Sequence, residues 1–148
     1  MRLFFTVAFF TISGILFSQQ IDYNTKKGYL AIGYDVVSYF VDNKPVKGNK
    51  KFQAIHDGVK FKFSSEKNLA LFKANPGKYI PQYGGYCAYA MGAKATKVSI
   101  DPETYEIRDN KLYLFYNSWG RNTLKIWTKT GPEKLKEQAD KNWAEINK

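Results

Sequence analysis

The sequence predicts an α+β fold, a small antiparallel sheet of two hairpins packed with several short helices. Two pairs of segments rich in alternating apolar residues flank two-residue turn signals, and other segments carry helix-capping residues or apolar stripes. With 148 residues, 44% of them hydrophobic and 24% charged, the chain has the composition of one globular domain. Its one Cys cannot form an internal disulfide, so an aromatic-rich core must hold the fold. Collagen, coiled coils and polytopic membrane proteins are excluded.

Residues 1–18 are predicted to be a secretory signal peptide. A short positive start is followed by an apolar run over 3–17 without an acidic residue, and Ser18 is a small residue suited to cleavage. The alternative, a membrane anchor, is less favoured because roughly 15 apolar residues fall short of the ~20 that span a bilayer. We expect an exported protein, periplasmic or extracellular, with an N-terminal tail at 19–28 and a single domain at 29–148.

The chain is basic, with a formal net charge of +10. Its lysines are scattered rather than gathered into one block with base-stacking aromatics, which favours a solvated basic surface over a nucleic-acid groove. We expect no nucleic-acid partner. Attraction to anionic lipid or acidic polysaccharide stays open.

The first elements of the domain are a capped turn and a hairpin. Asp35, after Gly33-Tyr34, is placed to accept hydrogen bonds from the free amides of a short helical turn. Asp57-Gly58 is a two-residue hairpin signal between alternating segments. The predicted register, which puts these side chains on the core face, pairs His56 with Val59, Ala54 with Phe61 and Phe52 with Phe63. The only His of the chain would therefore face the core.

The later elements are predicted from caps and stripes. A helix begins after Ser64-Ser65 and ends before Pro76, and a second hairpin turns at Asp109-Asn110 with both faces of its second strand covered. A short helix opens after Gly84-Gly85. Two helices close the chain. The first is expected to be capped by Asn117-Ser118 and to bury a stripe of Trp119, Thr123, Ile126 and Trp127. The second is expected to start at Gly131-Pro132 and to bury a stripe of Leu135, Ala139, Trp143 and Ile146.

The candidate chemical residues are Cys87, Met91 and His56. Cys87 is expected in the first turn of the short helix, where a thiolate is stabilised, and Met91 one turn later on the same face. Thiolate and thioether are soft ligands suited to Cu(I), and a core-side imidazole would complete a three-coordinate site. The alternatives are that Cys87 and Met91 are core fillers in a structural or partner-binding domain, or that Cys87 and His56 form a nucleophilic pair, for which no orienting acid is visible. Phosphate-loop, dinucleotide, serine-hydrolase and zinc-protease motifs do not occur, so no enzymatic activity is expected.

Several blocks of the sequence resemble the YHS-domain family, and most closely its stand-alone exported branch. The blocks are GYDVVSYF at 33–40, FSSEKN at 63–68, ANPGKY at 74–79, PQYGGYCAYAM at 81–91 and KLYLFYN at 111–117. The resemblance covers about residues 29–143, and the block that contains Cys87 is the most specific.

The resemblance implies a soft-metal-binding role. YHS domains also occur in heavy-metal-transporting ATPases and in some bacterial monooxygenase components, and they look related to Cys-rich metal-sensing domains. The metal-associated versions carry a Cys near the start and a Phe-Cys-Ser where this chain has Phe63-Ser64-Ser65. These ligand positions are missing here, so a metal role would depend on Cys87, with Met91 and His56.

Overall fold

A computed structural model describes residues 21–148, and the predicted signal peptide lies outside these residues. The strands are β1 (Thr25–Lys26), β2 (Tyr29–Leu30), β3 (Asn49–His56), β4 (Val59–Phe63), β5 (Asp101–Arg108), β6 (Lys111–Phe115), β7 (Asn117–Ser118) and β8 (Arg121–Asn122). The helices are α1 (Ser38–Val41), α2 (Glu66–Ala74), α3 (Pro76–Tyr79), α4 (Ala88–Lys94), α5 (Thr123–Thr130) and α6 (Pro132–Ile146). The predicted α+β class is confirmed. None of the helices between residues 21 and 148 is long and apolar enough to cross a bilayer.

The two predicted hairpins form, but they belong to different sheets. β3 and β4 lie in a four-stranded sheet of order β1-β2-β4-β3, whereas β5 and β6 pair with each other alone. The second edge of β4 is taken by β2, which runs parallel to it at the Tyr29–Lys60 pair. On β6, the carbonyl of Leu112 accepts the amide of Gln82 at 2.9 Å. Backbone partners from elsewhere in the chain therefore contact one edge of each hairpin.

The register of the first hairpin is confirmed near the turn and wrong farther away. Ala54 pairs with Phe61 and His56 with Val59, as predicted. The predicted Phe52–Phe63 pair is absent because the register shifts between Asn49 and Gln53, which places Asn49 opposite Phe63. An irregularity of this kind inserts extra residues into one strand and changes the facing of those beyond it.

The segment 117–122 differs from its prediction. Asn117-Ser118 do not cap a helix but form β7, which pairs with β8 around a turn at Trp119 and Gly120 with positive φ angles of 53° and 72°. Trp119 is 95% exposed at this turn instead of buried on a helix face. The helix starts later, because the side chain of Asn122 accepts the amide of Lys125 at 3.1 Å and provides the cap.

The helix predicted after Ser64-Ser65, the hairpin at Asp109-Asn110 and the helix at Gly131-Pro132 are confirmed. Ser65 caps α2, and its hydroxyl accepts the amide of Asn68 at 3.1 Å. The turn at Asp109-Asn110 joins β5 to β6. Leu112, Tyr113, Leu114 and Phe115 are all at most 1% exposed, so both faces of β6 are covered. On the predicted stripes, Thr123, Trp127, Leu135 and Ala139 are buried, Ile126 and Trp143 are half-buried, and Ile146 is exposed.

A buried carboxylate connects the first third of the domain. Asp35 has no exposed surface. One of its oxygens accepts the amides of Val37 and Ser38 at 2.9 and 3.3 Å, which confirms the predicted cap. The other accepts the amide and hydroxyl of Ser64 at 2.8 and 2.7 Å and the side-chain amide of Asn68 at 2.7 Å. The turn before α1, the end of β4 and the first turns of α2 are therefore held at one point.

Replacing Asp35 by Asn tests this connection. The substitution keeps the size of the side chain but turns an NH₂ group toward N–H and O–H donors, and we expect a loss of about 2–4 kcal/mol in the free energy of unfolding. Urea unfolding followed by circular dichroism measures the loss. Asp42→Asn, at an exposed position, is the matched control and should change stability by less than about 0.5 kcal/mol. Equal stabilities of the two variants would contradict the role given to Asp35.

Candidate functional site

Cys87 lies immediately before α4 rather than in its first turn. It is the N-cap residue, with φ −59° and ψ 116°, and its carbonyl accepts the amide of Met91 at 3.0 Å. Its position is fixed by a tight turn at Tyr83–Gly85, in which Gly84 has a φ of 59°. A Cβ on Gly84 would lie 2.8 Å from the carbonyl oxygen of Asp22, so the glycine allows the N-terminal segment to approach.

The side chain of Cys87 is completely buried and makes two hydrogen bonds. Its sulfur accepts the amide of Tyr116 at 3.4 Å and lies 3.4 Å from the hydroxyl oxygen of Thr123. The Thr123 hydroxyl donates its single proton to the carbonyl of Tyr116 at 2.8 Å. The Cys87 S–H must therefore be the donor to Thr123. The thiol both donates and accepts, and it joins the start of α4 to the end of β6 and the start of α5.

Met91 is also fully buried but packs in another part of the core. It belongs to the apolar cluster that includes Trp127, Phe115 and Ala139, whereas Cys87 belongs to the cluster that includes Phe72 and Leu114. The backbone amide of Met91 donates to the carbonyl of Cys87, one turn earlier. The side chain of Met91, however, packs in the cluster that includes residues of α6.

His56 lies at the end of the first hairpin. Its side chain is 35% exposed, and its Nε2 is 3.5 Å from a carboxylate oxygen of Asp57. The imidazole packs edge-on against Phe72, with 6.0 Å between the ring centroids. His56 thus faces the apolar side of the sheet, as predicted, but at the rim of the core and beside a neighbouring acid.

In the structure Cys87 and Met91 lie one helical turn apart, whereas His56 contacts Asp57 and Phe72 instead of either of them. Between residues 21 and 148, no three side chains of His, Cys, Asp or Glu are grouped so that they could hold a metal ion. The proposed role of Cys87, Met91 and His56 as metal ligands stays a prediction. The partners of the Cys87 thiol, Tyr116 and Thr123, were not predicted from the sequence, although Thr123 was expected to be buried.

A buried tyrosine before Cys87 and a lysine after it are bound to other parts of the chain. The Tyr83 hydroxyl donates to the carboxylate of Asp140 at 2.8 Å, and burial, followed by this bond, raises the pKa of Tyr83 above its usual value. The ammonium of Lys97 donates to Asp22 at 2.9 Å, and this bond lowers the pKa of the Asp22 carboxyl. The N-terminal segment and α6 are both tied to this part of the chain.

Comparison with known proteins gives one family match. The family model of the YHS domain matches residues 37–83. Comparison with curated proteins and with solved structures yields no significant match. The matched segment contains every residue that donates to Asp35, namely Val37, Ser38, Ser64 and Asn68, and it ends at Tyr83, the first residue of the turn that precedes Cys87. The chain therefore contains a YHS domain match at residues 37–83, which supports its relation to the YHS-domain family.

Proposed function

We propose that the protein is an exported, non-enzymatic binding protein of the YHS type, in which Cys87 is a structural thiol and not a metal ligand. The signal-peptide pattern supports export, and the resemblance to the YHS-domain family, together with the lack of the enzyme motifs named above, supports a binding role over catalysis. The observation that carries the proposal is the bonding of the Cys87 sulfur, which donates its proton and accepts one hydrogen bond inside the core.

To act as a metal ligand, the Cys87 side chain would have to lose its proton. Soft metals bind the thiolate, and forming it removes the S–H donor. The resulting charge would be fully buried and would face the oxygen lone pairs of Thr123 at 3.4 Å. Metal binding at Cys87 would therefore cost the hydrogen bond to Thr123 and would require the fully buried surroundings of the sulfur to open for the ion.

The second candidate function is Cu(I) binding. It is favoured by the one-turn separation of Cys87 and Met91, whose backbones are hydrogen-bonded at 3.0 Å. Thiolate and thioether together form a soft ligand pair. For this site to form, the thioether of Met91 would have to leave its packing in the second core cluster, and His56 would have to leave Phe72.

Cu(I) titration separates the two candidates. Under anaerobic conditions, with a chromophoric Cu(I) chelator as competitor, we expect the purified protein to retain no stoichiometric Cu(I). Cys87→Ala and Met91→Leu should give the same chelator curves as the unchanged protein. Retention of one equivalent that is lost in both variants would instead establish the Cu(I) function. A thiol reagent provides the control, because Cys87 should react in urea and not in the folded protein.

A double-mutant cycle tests the structural role of the thiol. Thr123→Val leaves the S–H of Cys87 without its acceptor and removes one of the two hydrogen bonds that the carbonyl of Tyr116 accepts, so we expect a loss of about 1–3 kcal/mol in unfolding free energy. Cys87→Ala should also destabilise the protein, and the double variant should lose less than the sum by about 0.5–1.5 kcal/mol.

Thr128→Val is the matched control for this cycle. Thr128 donates to the carbonyl of Leu124 at 3.0 Å but is exposed, so water can replace the lost bond and the expected change is below about 0.5 kcal/mol. Strict additivity of Cys87→Ala and Thr123→Val in urea unfolding would show that the two side chains do not interact.

A further inference from the structure

A half-open cavity of about 150 Å³ lies between α4 and the chain on either side of the β7–β8 hairpin. Cys87 and Thr123 belong to its wall, next to the hydrogen bond that joins them. An apolar cavity of about this volume is large enough to hold one benzene ring. The volume therefore suits a ligand with one ring or a short branched chain, and it excludes a nucleotide or a long acyl chain.

Most of the cavity wall is apolar or aromatic. Ala90 and Val98 contribute aliphatic surface, and Tyr89 and Tyr116 contribute rings. Within residues 21–148 neither tyrosine hydroxyl has a hydrogen-bond partner, so both are available to a polar group. Small-molecule sites have this composition, in which apolar walls supply affinity and a few polar groups fix the orientation.

Two cations complete the lining, and neither is paired. Lys94 and Arg121 are exposed, make no ion pair within residues 21–148, and share the cavity with no acidic residue. Arg108, by contrast, is paired with Glu106 at 2.8 Å and Glu133 at 2.7 Å. An unpaired guanidinium at an apolar cavity can bind a carboxylate through two parallel hydrogen bonds.

We propose that this cavity binds a small organic anion, a carboxylate attached to one aromatic ring or to a short branched alkyl group. The apolar part would occupy the space lined by Ala90, Val98 and the two tyrosine rings, and the carboxylate would lie toward Lys94 and Arg121. An uncharged apolar ligand would leave the cations unused, and inorganic phosphate would leave the apolar wall unused. The inference goes beyond the proposed function and uses it only in that the packed side chain of Cys87 forms part of the wall.

Benzoate is the probe that tests the proposal. In amide-resolved NMR titrations of the purified protein, we expect saturable shifts centred on Ala90, Val98 and Tyr116. Benzamide, which has the ring without the charge, and acetate, which has the charge without the ring, should each bind at least about fivefold more weakly. Arg121→Gln and Lys94→Gln should each weaken benzoate binding by about fivefold, and both are exposed changes that leave the core intact.

Lys129→Gln is the matched control, because Lys129 is exposed on α5, does not line the cavity and makes no ion pair in the described part of the chain. It should leave benzoate binding unchanged. Equal affinity for benzoate and benzamide, the absence of saturable shifts, or shifts weakened as much by Lys129→Gln as by Arg121→Gln would overturn the proposal. The last result would mean binding of an adventitious ion only.

The outcome is independent of the Cu(I) titration. Benzoate binding in a protein that also retains Cu(I) through Cys87 would refute the structural thiol but support the anion site. Failure of benzoate in a protein that retains no Cu(I) would overturn the anion site and leave the proposed function standing.

Discussion

The carboxylate of Asp35 is the constraint on which the first half of the domain depends. It has no exposed surface and no cationic partner among residues 21–148, so its charge is balanced there by five hydrogen-bond donors from three segments. The loss of even one of these donors would destabilise the fold, because the buried carboxylate is out of reach of water that could replace the missing hydrogen bond. The turn before α1, the end of β4 and the start of α2 must therefore form together. This explains why the two separate sequence blocks 33–40 and 63–68 both carry residues of this hydrogen-bonded group: Asp35 and its nearest donors lie in the first, and Ser64 and Asn68 lie in the second.

The Cys87 thiol makes a comparable connection in the second half, with neutral groups. It links α4 to the backbone of Tyr116 and to the hydroxyl of Thr123, beyond the segment that matches the YHS domain. The helix it precedes also joins the two core clusters, since Cys87 and Ala90 pack in one and Ala88 and Met91 in the other. A cysteine suits this position because it is small, apolar and able to donate one weak hydrogen bond.

Local signals predicted most of the fold, and contacts between distant segments account for what they missed. The caps at Asp35 and Ser65, the turns at Asp57 and Asp109, and the covered strand β6 all follow from patterns within a few residues. The arrangement of the hairpins in different sheets could not be predicted, because the backbone partners at their edges, β2 and Gln82, come from distant parts of the chain. The β7–β8 hairpin was missed because Asn117-Ser118 and Asn122 are both acceptable helix caps, and the local pattern does not show that the chain first turns at Trp119 and Gly120.

At the candidate site, too, local patterns could not predict the contacts between distant segments. The i,i+4 spacing of Cys87 and Met91 predicts a shared helix face only if both residues are helical. Cys87 has a ψ of 116°, so its side chain leaves the backbone in a direction that the helical pattern does not describe. The thiol and thioether consequently pack in different clusters. The bonding of Cys87 to Tyr116 and Thr123 spans 29 and 36 residues, and no local pattern indicates it.

These connections also determine what the cavity beside α4 can do. The helix is held from behind by α6, because Gly92 approaches so closely that a Cβ would lie 2.5 Å from the carbonyl oxygen of Leu135. The side chain of Asn142 donates to the carbonyl of Met91 at 2.7 Å and fixes the same contact. In front, the Cys87–Thr123 bond sets the distance between α4 and the start of α5. Both walls of the cavity are therefore positioned before any ligand arrives, and only the exposed side chains of Lys94 and Arg121 need to be ordered on binding. A small site of this kind gains affinity chiefly because little ordering is required.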